Sequence, residues 1–396
     1  MSQFANNKKV KAFNVAVADK MDYVKRSRSL FSQEELKGKK YGMTVHTYFT
    51  DPGKVYDGLE VSPEGITEVE YSTTLKNKSV PVEYNSWDTL TNIEDFNKEV
   101  IQKRAVHLAK AVQDDVIKST IYRSCQAVVT TGDAGFDTLS EGAAKLREVA
   151  VAGDAVSFMT PTTMGKIANA GLAKFIPDEQ QKKIYSKNYL GEYAGASQIE
   201  LQGLPVITTP SGAATLSVSL TEVSSTDGSK VIGFSPITAG SIANGVNGAS
   251  IPFTAEGLKI VDVNGMETDQ DYVVMADASG NIPELRITVK GEGYGNPNAW
   301  IEAGTSSLTF SPLLSTGTKY ELGQVRIQDA LAFDTYRFNH VPSTEEIGSE
   351  TVDGVRIEAI AGGNILNRTS VARVDCPYAA GLPEPRQNVT IFIKKA

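Results

Sequence analysis

Apolar positions recur at helical spacing through the longest glycine- and proline-free part of the chain. Residues Val82 to Thr131 are fifty in a row without either, in a protein that holds 34 glycines and 16 prolines. Within the stretch Ile101, Ala105, Leu108, Val112 and Val116 fall on one face of a helix. The spacing predicts one long helix from about Asn92 to Arg123, which at ~1.5 Å per residue spans about 45 Å. That exceeds what an ordinary compact domain needs, so the element reads as a strut.

On either side of the strut the period changes. Tyr41 to Phe49 alternates as a strand does, Asp51 to Gly65 is rich in turn residues and charge, and Thr67 to Val82 alternates again. This predicts a long β-hairpin with an exposed tip. A two-stranded ribbon is marginal alone in water, so it should lie on another body, such as a second subunit. Beyond the strut, a helix is expected over Ser140 to Val151 with Ser140 as N-cap and Leu146, Val149 and Ala150 on one face. Ala155 to Met159 reads as a short strand. Thr160 and Pro161 suit the N-cap and first position of a helix over Thr162 to Ala173, with Ile167 and Ala170 facing inward. Ile199 to Thr208 reads as a bent strand broken at Gly203.

From Ser211 to Leu322 the chain shifts to Gly, Ser, Thr, Val and Ile in short alternating runs such as Tyr272 to Met275 and Leu285 to Val289. A separate small all-β domain is expected there. Longer apolar strands follow at Ala330 to Phe338, Gly354 to Ile360 and Val389 to Ile393.

Composition adds little beyond class. With 396 residues, 41% hydrophobic and 22% charged, the chain is an ordinary globular protein of two or three domains. No run reaches the ~18 apolar residues of a membrane helix, and the start of the chain has no signal-type apolar core. The expectation is a protein made and kept in the cytoplasm, with no membrane partner. Charge is more informative. Residues 1 to 40 hold ten Lys/Arg against four acids, a local +6, so against a total of −8 the rest sums to −14. The segment 211 to 322 alone carries twelve acids and five Lys/Arg. A basic arm on an acidic body suits a polyanion or an acidic face of a neighbouring copy, and equally a solvated arm.

Catalytic constellations are not found. There is no phosphate loop, no G-x-S-x-G elbow and no metal-ligand spacing. The three histidines, His46, His107 and His340, stand alone in their segments, and His107 is expected to pack on or beside the strut face. Asp262, Asn264, Glu267, Asp269 and Asp271 have the composition of a calcium loop without its spacing and read as solvated turn carboxylates. Cys125 and Cys376 read as buried small hydrophobes. The expectation is a protein that is not an enzyme, with no catalytic residues, cofactor or metal.

The order of these parts resembles the major capsid (coat) protein of tailed double-stranded DNA bacteriophages, and is most similar to the short-tailed Salmonella phage type. The most specific local match is Phe175-Ile176-Pro177-Asp178-Glu179, continuing through Tyr189-Leu190-Gly191 to Gly203-Leu204-Pro205-Val206. Gln328 to Phe333, Arg373, Tyr378 and the closing Val389 to Ile393 run add to it. The resemblance implies an α+β tailed-phage capsid fold with an inserted all-β domain. Its parts would be an N-terminal arm (1–45), an extended loop (46–76), a peripheral domain with the spine helix (77–135), a first axial part (136–210), the insert (211–322) and a return to the axial and peripheral core (323–396).

By the same resemblance the function would be self-assembly, through hexamers and pentamers with a scaffolding protein and portal, in the bacterial cytoplasm. The product would be the icosahedral shell of a virion, enclosing double-stranded DNA without sequence-specific contact. Asp51, Lys54, Asp57, Glu60 and Glu64 would form subunit contacts at the loop tip; Lys8, Lys9, Lys11, Lys25, Arg26 and Arg28 would face the interior. The inserted domain would aid folding or touch neighbours. Two alternatives remain open at this stage: a non-viral nanocompartment shell of the same fold, and a ligand-binding or hydrolytic protein that uses the β domain as its platform.

Overall fold

The structure, a computed structural model, describes residues 14–17, 20–29, 44–50, 59, 68–85, 102–149, 153–172, 191–209, 216–224, 230–234, 252–275, 285–290, 298–337, 345–352, 354–364 and 369–395. The chain divides into two compact units. One comprises Met1–Thr47, Tyr71–Thr120 and Leu331–Pro383, the other Tyr48–Glu70, Ile121–Ala330 and Glu384–Ala396.

The first unit is a helix on a sheet. Thr369–Gly381 is the sheet's long central strand, paired along one edge with Lys76–Asn85 in an antiparallel ladder from Asn85 opposite Thr369 to Lys76 opposite Tyr378. Its other edge takes Val355–Asn364 and Ala332–Thr335, and Glu345–Val352 pairs outside Val355–Asn364. Pro81 is tolerated in Lys76–Asn85 because that strand has a ladder partner on one side only among the described residues. Helix α1, Gln102–Thr120, packs on the two long strands. The predicted stripe is its buried face: Ala105, Leu108, Val112 and Val116 are at most 1% exposed, joined by Ala109 and Ile117. The helix ends at Thr120 rather than Arg123, since the Thr120 hydroxyl turns back to the Val116 carbonyl at 2.7 Å and the chain leaves in a turn. Its expected start near Asn92 lies outside the described residues. His107 is exposed, on the side of the helix away from its buried stripe.

Thr44–Thr50 and Glu68–Thr74 pair as a two-stranded ribbon, and the division between the units passes through both strands. The expected hairpin therefore forms; the single long second strand is interrupted at Leu75, after which Lys76 enters the large sheet.

The second unit is built on a mixed sheet in the order Gln126–Val129, Asn388–Lys394, Lys319–Ile327, Ala155–Met159, Ala196–Glu200 and Glu192–Tyr193, with Val206–Thr208 also pairing with Lys319–Ile327. Helices α2, Phe136–Val149, and α3, Pro161–Leu172, cover one face through Leu139, Leu146, Met164 and Ile167 against Val325, Val389 and Ile391. Helix α2 begins four residues before the expected cap Ser140, because Leu139 already belongs to the buried face and the Thr138 hydroxyl takes the Gly135 amide at 3.2 Å. Strand Ala155–Met159 and the Thr160 cap on α3 form as expected, with the Thr163 amide donating to the Thr160 hydroxyl at 3.3 Å.

A module is inserted into this unit, and among the described residues its elements are eight strands. Its strands run from Leu216 to Pro312, not to Leu322, because Lys319–Ile327 is the hub of the mixed sheet with Leu322 and Val325 fully buried. For the same reason Gln126–Val129, expected with the spine helix, belongs to the mixed sheet.

Candidate assembly surfaces

In the first unit a single carboxylate ties the helix to the sheet. Asp115 of α1 accepts from Lys76 Nζ at 2.7 Å and from the Tyr378 hydroxyl at 2.8 Å, with Lys78 3.9 Å away. Burial works to raise its pKa, but the hydrogen bonds from Lys76 and Tyr378 and the two lysine charges outweigh it and hold the carboxyl below its ordinary value. Tyr378 is pushed upward by burial and by its bond to Asp115.

On the opposite face the ribbon is anchored. Tyr71 lies so close over Gly381 that a Cβ there would meet its ring and hydroxyl, and the Thr73 hydroxyl donates to the Ala380 carbonyl at 3.0 Å. Val45, Ala332, Tyr336 and Ala379 form a small apolar cluster with Tyr71 and Leu75. In the loop the ribbon leads to, Leu59 is 103% exposed, the most exposed large apolar side chain described. The five predicted contact residues around it, Asp51, Lys54, Asp57, Glu60 and Glu64, lie outside the described residues, as do Lys8, Lys9 and Lys11.

The other three predicted basic residues sit on a folded segment. Val17, Met21, Tyr23 and Val24 are at most 2% exposed. Tyr23 fastens the segment to α1 through its hydroxyl against Thr120 at 2.7 Å and its amide donating to Gln113 Oε1 at 3.3 Å. Lys25 is exposed and 3.9 Å from Asp22; Arg26 and Arg28 are half-buried. Arg28 also continues the sheet, its amide donating to the Leu331 carbonyl at 2.9 Å and its carbonyl accepting from Phe333 at 3.1 Å. Patterning missed this anchoring because Val17, Met21, Tyr23 and Val24 are interleaved with charge and follow no sustained period.

The inserted module is docked on its own unit. Cys125 and Val149 lie in the module's core with Phe253, Tyr272 and Val274. The Val273 amide donates to the Cys125 carbonyl at 2.8 Å, the Val263 amide to the Val149 carbonyl at 3.2 Å, and Arg386 to the carbonyls of Val261, at 3.1 Å, and Asp262.

Burial pushes the thiols of Cys125 and Cys376 up to about 12, so neither is a thiolate at neutral pH. Asp262 is used in its own turn, accepting from the amides of Asn264 and Met266 at 2.8 Å each, and Asp271 pairs with Lys259 at 2.6 Å. Among the described residues no group of three or more acidic, histidine or cysteine side chains could hold a metal, and no helix is long and apolar enough to cross a membrane.

No family model and no curated protein matches the chain. Among solved structures it is similar to a chain of Mycobacterium phage Che8 (TM-score 0.45, 10% identity, covering 92% of this chain and 89% of that one). It is also similar to the capsid structure of the cyanophage P-SCSP1u (0.45, 9%, 90% and 85%). A third is the SrpI encapsulin complex of Synechococcus elongatus (0.35, 9%, 88% and 82%).

Proposed function

We propose that this chain is the repeating subunit of a closed protein shell, the major capsid protein of a tailed double-stranded DNA bacteriophage. The observation that carries the reading is the ribbon: two paired strands anchored at their base by Tyr71 on Gly381, leading to a loop where Leu59 is 103% exposed. A leucine in that position is stabilised only when something covers it, and ~2 kcal/mol is available from burying it. A second copy is the cover that is always present at matching concentration. The order of the elements supports the same reading: basic segment, ribbon, helix on a long sheet, mixed sheet with helices, inserted β module, return.

In this reading Asp51, Lys54, Asp57, Glu60 and Glu64 surround Leu59 in the subunit contact. Each exposed ion pair would contribute only ~0–1 kcal/mol, but the contact repeats at every subunit of the shell. The remaining partners follow: hexamers and pentamers of the same chain, a scaffolding protein and portal during assembly in the host cytoplasm, and packaged DNA held without sequence readout.

Negative-stain electron microscopy of the chain expressed alone and with a candidate scaffold tests the proposal. Closed shells, tubes or hexagonal sheets are expected, and Leu59→Asp should reduce their yield without unfolding the subunit. A stable monodisperse monomer under every condition would overturn the reading. Shells filled with protein and free of nucleic acid would assign the chain to a nanocompartment instead.

A further inference from the structure

We infer that Asn264 is a site of spontaneous deamidation, held nearly inert in the folded chain by the hydrogen bonds that Asp262 accepts in its turn. The inference stands apart from the shell reading and concerns the inserted module alone. Asn264 and Gly265 lie in the turn between strands Pro252–Val261 and Glu267–Met275, and Asn264 is exposed to water. Asparagine followed by glycine is the pair most open to this reaction, because glycine has no Cβ to crowd the approach of its own amide nitrogen to the asparagine side chain. The turn itself needs that glycine, since Gly265 sits at φ 81°, in the left-handed region.

The reaction requires only water. The Gly265 nitrogen gives up its proton to solvent and attacks Asn264 Cγ. The new Cγ–N bond closes a succinimide ring as the Cγ–Nδ2 bond breaks, and ammonia leaves with a proton taken from water. Hydrolysis of either ring carbonyl then gives aspartate or isoaspartate. The net change is asparagine plus water to an acid plus ammonia.

In the folded chain the attacking nitrogen is engaged. The Gly265 amide donates to the Asp262 carbonyl at 3.1 Å, and the Asp262 amide closes the turn on the Met266 carbonyl at 2.9 Å. The Asp262 carboxylate fixes the residues on either side of the glycine: its Oδ1 accepts from the amides of Asn264 and Met266 at 2.8 Å each, and its Oδ2 lies 3.5 Å from Asn264 Nδ2, the leaving nitrogen. From outside the turn, the Val263 amide donates to the Val149 carbonyl at 3.2 Å and Arg386 donates to the Asp262 carbonyl. Attack on Cγ requires the Gly265 amide to leave its acceptor and swing toward the side chain. The folded rate is therefore the rate of the open turn multiplied by the fraction of time it is open. Modification would undo the turn in its own right. A carboxylate in place of the Asn264 amide would face that of Asp262 with like charge, and isoaspartate would lengthen the backbone between the two bonds that close the turn.

The test follows the full-length chain in warm, mildly alkaline buffer. Mass spectrometry of the digest peptide that holds Asn264 and enzymatic methylation of isoaspartate are the two readouts. The folded chain should deamidate at Asn264 at least about tenfold more slowly than the same chain in concentrated guanidinium chloride. Asp262→Ala removes the acceptor of two amides and should raise the folded rate about tenfold, leaving the rate in denaturant unchanged. Asp262→Asn keeps an acceptor oxygen and should stay near the wild-type rate. Asn247 also precedes a glycine and is the reference in the same digest; its rate should not differ between wild type and Asp262→Ala.

Equal rates for the folded and unfolded wild-type chain would overturn the inference, as would an Asp262→Ala rate that stays at the wild-type value. A rise at Asn247 as large as that at Asn264 would trace the effect to loss of fold and overturn the role given to Asp262. If Asp262→Ala does not fold, the wild-type comparison between buffer and denaturant decides alone.

Discussion

Two residues show how local constraint becomes measurable stability. Ala194 sits at φ 53°, followed by Gly195 at φ 74°, in the tight turn that joins Glu192–Tyr193 to Ala196–Glu200. A two-residue turn with both central residues left-handed favours Asn-Gly, and alanine there costs ~1 kcal/mol. The conformation is held from outside: Arg147 of α2 donates to the Ala194 carbonyl at 2.6 Å. Ala194→Asn should therefore raise the free energy of unfolding by about 0.5–1 kcal/mol in denaturant titration, and a fall would refute the strain argument. Asp115 gives the corresponding pH effect. Its folded pKa lies below the ordinary 3.8, so the stability it contributes is present above that value and lost as pH falls through the folded pKa. Tyr378 is shifted upward from 10.0, so its contribution is present below that pH and lost as the solution becomes more alkaline. Stability of the first unit should decline on both sides. Asp115→Asn should lower the neutral plateau and flatten the acid limb of a thermal-midpoint profile against pH; an acid limb of unchanged steepness would show that other carboxylates set it.

At the scale of elements, the start of α3 illustrates what burial adds to a cap. Thr160 and Thr163 both donate to the buried carboxylate of Glu321 in the hub strand, the second at 2.8 Å, and Lys395 stands 3.4 Å from its other oxygen. The carboxylate also sits at the helix N-terminus, where the helix dipole favours negative charge. Glu321→Ala should cost about 1–3 kcal/mol, by leaving two hydroxyls and a lysine without their acceptor, whereas Glu321→Gln should cost less. Equal losses for the two would mean that packing, not the acceptor, matters here. The cap itself was legible in the sequence, since Thr160-Pro161 announces a helix by local chemistry alone. The buried stripe of α1 and strand Ala155–Met159 were legible for the same reason: their period is a property of contiguous residues. Glu321 was not, because the two hydroxyls it accepts from lie more than 150 positions away and nothing near it marks a buried carboxylate. The candidate contacts divide likewise. The ribbon could be read from alternation, while the anchoring of the segment that carries Lys25 could not, since Tyr23 reaches Thr120 and Gln113 of α1 only once the chain is folded.

For the whole molecule the decisive question is whether the inserted module is an appendage or part of the body. Its ends favour the first answer: the Thr209 amide donates to the Thr318 carbonyl at 2.9 Å, and its hydroxyl to the Ser315 carbonyl at 2.6 Å, so a short linker could replace everything between. Its core favours the second. Cys125 and Val149 come from the body, yet their side chains complete the module's apolar cluster, and their carbonyls take amides from Val273 and Val263. Removing the module would uncover both side chains, orphan both carbonyls and strip Arg386 of its acceptors at Val261 and Asp262. Burial of one valine and loss of two hydrogen bonds already amount to about 3 kcal/mol, a sizeable part of the stability of an ordinary domain. A chain with Thr209 and Thr318 joined by a glycine–serine linker should therefore unfold more readily, despite geometrically compatible ends. Its Cys125 supplies a local readout, since the thiol is fully buried and pushed up to about 12 in the intact chain. In a Cys376→Ala background, Cys125 should react with a thiol reagent only after excision. An excised chain that kept both its unfolding midpoint and an unreactive Cys125 would make the module an appendage after all, and its role in a shell would then have to lie wholly outside the subunit that carries it.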